Sequence, residues 1–82
     1  MKNIKPERKT DWKQGDWVRV IKTCFNINHP FEIRAGIEGA LIGLERIQDD
    51  QEIWIAWFPY PLPCRGRFLG CTTHLNLEKI DK

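Results

Sequence analysis

The sequence predicts one small all-β domain of about five antiparallel strands. Short runs rich in β-branched and aromatic residues recur, the clearest being Ile53-Trp54-Ile55-Ala56-Trp57-Phe58. Polar turns separate them at Gln14-Gly15-Asp16 and Gln48-Asp49-Asp50-Gln51. The one segment with a helical alternative, residues 37–47, is short and carries Gly39 and Gly43, which weigh against a helix.

Length and composition bound the rest. A chain of 82 residues holds one core, and at this size only about 60–65% of the unfolded surface is buried. Four Trp and four Phe offset the small size, since each large ring buries on the order of 150–250 Å². The 13 basic and 11 acidic residues leave a net charge of +2, which does not mark the chain as a nucleic-acid binder. No apolar run approaches the roughly 20 residues that span a bilayer. The charged N-terminus is not expected to be a secretory signal. Three cysteines, an odd number, point to free thiols and a reducing, cytoplasmic setting.

The elements follow in order. Residues 1–13 are rich in Lys and Arg and read as a flexible basic tail, leaving 14–82 as the domain. The first strand is Trp17 to Lys22, with Val18 and Val20 on one face and Trp17, Arg19 and Ile21 on the other. A long loop from about Thr23 to Gly36 holds Asn26, Asn28, His29 and Pro30, which resist regular structure. Gly36 and Gly39 suit a bulge where a small sheet bends. The second strand runs from Ala40 to Ile47 and the third from Glu52 to Phe58. The third is apolar on both faces, so it is either central or offers one face for binding. Proline at every second position from Pro59 to Pro63 predicts an extended polyproline-like segment, not a ladder strand. Phe68-Leu69 begins a fourth strand, residues 72–77 suit one helical turn, and Glu78-Lys79-Ile80 closes the sheet.

Taken together, Gly15-Asp16-x-Val18-x-Val20, the long loop, Gly36-x-x-Gly39, the 53–58 strand and the terminal Leu77-Glu78-Lys79-Ile80 resemble the SH3-like barrels, KOW-type domains among them, across about residues 14–80. Gly15 to Val20, His29-Pro30 and Gly36-Ile37-Glu38-Gly39 look like the variable chain of ferredoxin-thioredoxin reductase. That likeness implies a cofactor-free scaffolding or docking subunit beside a redox partner. Pro59 to Pro63 and Cys64 to Cys71 depart from it. Plasmid-type dihydrofolate reductase shares the Gly-Asp-x-Val turn, but its Val-Gln-Ile-Tyr pore stretch has no counterpart here.

Candidate chemistry is sparse. Cys64, Cys71 and His74, joined by Cys24 or His29, make up a four-ligand set for zinc. The six-residue gap between Cys64 and Cys71 is not a Cys-x-x-Cys knuckle, so free thiols are the simpler reading and no metal or cofactor is expected. A nucleophilic cysteine beside His29 or His74 lacks an evident orienting group, and no acid, base and nucleophile come together, so an enzyme is not expected. The expected function is non-catalytic: a binding module or accessory subunit that docks a protein. Its expected contact residues are Trp17, Trp54, Tyr60, Arg65 and Arg67, with His29 on the loop rim. Trp and Arg dominate binding hot spots, and at least one of the four indoles should remain partly exposed. RNA or DNA binding in the KOW manner is the alternative, because arginines beside aromatics also grip phosphate and stack bases.

Overall fold

Asp49 and Asp50 both adopt positive φ, 52° and 64°, between Gln48 and Gln51. Two such central residues make a type I′ turn, whose twist matches that of the strands it joins. It connects the two longest strands of the protein, Glu38–Gln48 and Gln51–Pro59, which are β4 and β5 in chain order. The computed structural model describes residues 8–27 and 31–81. Before β4 come β1 (Trp17–Val20), β2 (Cys24–Phe25) and β3 (Glu32–Ile33); after β5 come β6 (Arg67–Thr73), a 3-10 turn at His74–Asn76 and β7 (Leu77–Ile80).

All pairings are antiparallel. The main sheet has the order β6-β5-β4-β1-β7, and β2 and β3 form a separate two-stranded ribbon. The strands read from the sequence are therefore present, and the structure is mostly antiparallel β. The closed barrel is not observed: β6 and β7 are the two edges of an open sheet. The long loop contains the β2–β3 ribbon, which sequence reasoning left irregular. Pro59 pairs with Arg67 in the ladder, and Pro61 O accepts a bond from Cys64 N–H in a tight turn that includes the cis Leu62–Pro63 bond. The polyproline-like segment is thus a hairpin loop.

The ribbon covers one edge. The Asn26 side chain donates to Leu69 O at 2.8 Å and accepts from Cys71 N–H at 3.2 Å. Ile27 N–H donates to Cys71 O at 2.9 Å. The outward-facing main-chain groups of β6 are met here by a buried asparagine acting in place of another strand.

The core lies on one face of the sheet. Val18, Val20, Leu41, Trp54, Ala56, Phe58 and Leu77 point into it, and Ile33 and Trp12 close it from outside the sheet. Register shifts between Leu41 and Gly43 and between Leu44 and Arg46 bend β4, which pairs with β5 from Ala40 to Gln48 and with β1 only at its start, Glu38 to Ala40. Phe58, fully buried, packs beside Gly39 near the start of β4. A Cβ built on Gly39 would lie 2.1 Å from Trp57 O and 2.7 Å from the Phe58 ring. One built on Gly70 would lie 2.5 Å from the opposite side of that ring. The two glycines thus form the walls of the slot that Phe58 fills.

Residues 8–13 differ from the expected tail. Trp12 is buried and packs against Trp54 with ring centroids 5.9 Å apart and planes tilted by 52°. The anchor is Glu52, whose carboxylate has no solvent exposure. It accepts from Thr10 N–H at 2.8 Å, Thr10 Oγ1–H at 2.6 Å, Trp54 Nε1–H at 2.9 Å and Lys9 N–H. Its own N–H donates to His74 Nδ1 at 3.0 Å. Burial pushes the carboxyl up, but the bonds from Thr10, Trp54 and Lys9 outweigh burial and hold it below its ordinary value of 4.5.

Two outcomes follow from this packing. Gly39→Ala should destabilise the fold by about 3 kcal/mol or more, because its Cβ meets main chain, and Gly70→Ala by about 1–3 kcal/mol, in urea unfolding. Phe58→Leu combined with Gly70→Ala should cost less than the sum of the two single changes. Because Glu52 is lowered on folding, its stabilisation is complete above its unfolded value and is lost as pH falls through its folded value. Melting curves from about pH 7 to 3 should therefore fall more steeply for the natural protein than for Glu52→Gln, which starts about 1–3 kcal/mol less stable.

Candidate functional site

The sheet's second face is the one that β1 and β5 leave to solvent. Residues paired across five strands form one line there: Leu69, Trp57, Ala40, Trp17 and Ile80. Two residues further along each strand lies a second line, Arg67, Pro59, Glu38, Arg19 and Glu78. The first line is apolar and the second is charged at four of its five positions. The alternation that buries Trp54, Ala56 and Phe58 necessarily presents Trp57 on this face.

Trp57 is 41% exposed, Leu69 46% and Trp17 37%. Ala40 sits between the two indoles as a low floor. A groove of about 430 Å³ runs over it, lined by Trp17, Gly36, Glu38, Ala40, Trp57, Pro59 and Arg67. A second groove of about 390 Å³ adjoins it, lined by Phe31, Trp57, Tyr60, Arg67, Phe68 and Leu69. Trp57 and Arg67 belong to both and form the ridge between them. The second groove has a rigid wall: Tyr60 packs on Phe68 at 5.2 Å and Phe31 meets Phe68 edge-on at 5.1 Å. Toward the β4–β5 turn this face is less open: Ile53 and Cys71, on the same side as Trp57, are buried, beside a depression of about 250 Å³ lined by Ile27, Arg46 and Ile53.

The charges are unevenly satisfied. Arg19 bonds Glu38 at 3.1 Å and Glu78 at 2.9 Å, and these two carboxylates raise its pKa further. Arg34 pairs with Glu32 at 3.3 Å. Among the described residues Arg67 has no hydrogen-bond or ion-pair partner, and neither has the exposed Arg65. The apolar line is thus flanked at its β6 end by cations and at its β7 end by Glu78.

Of the residues expected at a binding site, Trp17, Tyr60 and Arg67 line these grooves. Arg65 lies exposed in the adjoining loop. Trp54 does not join them: it is 2% exposed, on the core face, and its indole N–H is spent on Glu52. His29 lies outside the described residues. Sequence reasoning missed Trp57 as a contact residue. Its spacing of three from Trp54 already placed the two indoles on opposite faces.

The cysteines lie in different surroundings. Cys64 is exposed, Cys24 half-buried and Cys71 buried. Cys24 Sγ and Thr72 Oγ1 are 3.3 Å apart. Cys71 Sγ donates to Glu45 Oε2 at 3.3 Å, and burial first, then Glu45, pushes its thiol up to about 12. His74 Nδ1 is occupied by Glu52 N–H. Among the described residues no group of three or more His, Cys, Asp or Glu is placed to hold a metal. No helix among them is long and apolar enough to cross a membrane.

No family model matches this chain, nor does any curated protein or solved structure.

The thiols should separate cleanly in a labelling experiment. With a maleimide at about pH 7, native Cys64 should react at the rate of a free thiol and Cys71 at least about 100-fold more slowly, because only thiolate attacks. Peptide mass spectrometry reads the two rates, and unfolding in urea should equalise them.

Proposed function

We propose that this protein is a non-catalytic binding module that docks a protein partner on the open face of its sheet. The observation that carries this reading is the line Leu69, Trp57, Ala40, Trp17 and Ile80, an apolar strip across five strands that nothing among the described residues covers fully. Isolated exposed apolar residues are ordinary, but a contiguous strip with two Trp and a flanking Arg that has no partner among the described residues is the composition of an interface core. Trp17, Trp57, Tyr60 and Arg67 are its contact residues. Arg65 adds positive charge beside Arg67 and steers an acidic surface toward that end.

The design is SH3-like. The strand order β6-β5-β4-β1-β7 supports that reading, as do the long first connection, the bent β4 and the 3-10 turn before the last strand. In such a design the module acts as a small accessory subunit, in keeping with the likeness of its Gly15–Val20 and Gly36–Gly39 segments to a docking chain of a redox complex. Nucleic acid is the competing occupant, favoured by Tyr60, Phe31 and Trp57 standing beside Arg67.

Affinity capture with and without nuclease decides between them. A protein retained after nuclease, and lost with a Trp57→Lys or Arg67→Glu bait, is the expected result. Capture that disappears with nuclease overturns the reading in favour of nucleic acid. Both substitutions lie on the solvent face, so the baits should keep the natural melting temperature to within a few degrees.

A further inference from the structure

The two lines on the open face have a property that the docking reading leaves unused: they are complementary to themselves when reversed. Strand order places Leu69 at one end of the apolar line and Ile80 at the other, with Trp57 and Trp17 symmetrically about Ala40. The charged line carries Arg67 at the first end and Glu78 at the second. We propose that the occupant of this face is a second copy of the chain, packed face to face about a two-fold axis that runs along β4. This rests on the reading of the open face as a docking surface.

The axis follows from the charges. A two-fold axis along the strands reverses the order of strands in the second copy and keeps each line opposite its own equivalent. Leu69 then faces Ile80 of the second copy, and Trp57 faces its Trp17. Ala40 meets Ala40 at the axis, where two small side chains leave room for four indoles. Arg67, without a partner among the described residues of its own chain, faces Glu78, and this contact occurs twice. Glu38 falls opposite Glu38, but each is held by its own Arg19 at 3.1 Å and has the second copy's Arg19 one strand away. An axis across the strands fails on the same test. It stacks each residue of the apolar line on itself and leaves both copies of Arg67 without a carboxylate.

The dimensions suit a modest dimer. Five strands at a spacing of about 4.8 Å give a strip about 19 Å wide, and two sheets stacked about 10 Å apart interdigitate their facing side chains. This lies toward the small end of specific interfaces, so dissociation in the micromolar range is expected.

Sedimentation equilibrium of the full chain tests it, with circular dichroism and melting as checks of folding. The natural protein should reach the mass of two chains. Trp57→Lys and, as a second variant, Ala40→Arg should weaken association at least about 30-fold while staying folded. Arg67→Glu and Glu78→Lys should each weaken it several-fold, and the two together should restore it, because the reversed pair re-forms across the axis. A dimer that ignores Trp57→Lys and Ala40→Arg overturns the proposal, as does one in which the double charge reversal is no better than the single changes. A monomer at about 0.5 mM also overturns it. If that monomer still captures a different protein through Trp57, the docking reading stands without self-association; if it captures none, both fall.

Discussion

The Phe58 ring, held between two residues that have no side chain, sets the shape of the whole molecule. A large ring cannot lie close against the sheet unless the neighbouring strands make room for it. Gly39 and Gly70 do so from β4 and β6, on either side of β5. The close approach of Gly39 to Trp57 O brings the start of β4 down over β5, and the two irregularities in β4 complete the bend. The buried residues of the core face form one cluster with it. Dispersion in a core depends on contact at close range, so the ring gains its attraction from main chain on both sides as well as from other side chains. The same geometry fixes the opposite face: with Phe58, Ala56 and Trp54 inward, Trp57 is directed to solvent.

Charge is used differently on the two faces. On the core side, one carboxylate, that of Glu52, gathers donors from the N-terminal segment and from Trp54, and no buried polar side-chain atom among the described residues is left unpartnered. A buried carboxylate is tolerable only when it is surrounded in this way. On the open side, the Glu38, Arg19 and Glu78 chain is exposed and adds little to stability. Its effect is to give that face a direction, negative toward β7 and positive toward β6.

Much of the sheet was legible because a strand is encoded locally. The alternation in Ile53–Phe58, the hairpin tip at Gln48–Gln51 and the alternation of Trp17–Val20 each depend on near neighbours, and each is realised. What could not be read depends on contacts between distant residues. Trp12 stands among charged residues and looks solvated, yet its partner Trp54 lies far along the chain. Asn26 looks like a loop breaker, and its use as a substitute strand needs β6 to be in place. Which face of β5 turns inward was equally hidden, because both faces are apolar. That single ambiguity put Trp54 among the contact residues in place of Trp57. The glycines at 39 and 70 were visible as residues, but their purpose depends on a ring contributed by the strand between them.

Asn26 has a consequence for how copies of this chain behave when crowded. An uncovered sheet edge is a template on which further strands can add without limit, the route to fibrous aggregates. Along β6 that template is interrupted, since Leu69 O and both main-chain groups of Cys71 are already engaged. The opposite edge, β7, has only four residues, two of them Glu78 and Lys79. Growth edge to edge is thus hindered at both margins, by an amide on one side and by shortness and charge on the other. Contact between molecules is thereby left to the face of the sheet, and the proposed pairing there about a two-fold axis would close on itself instead of propagating.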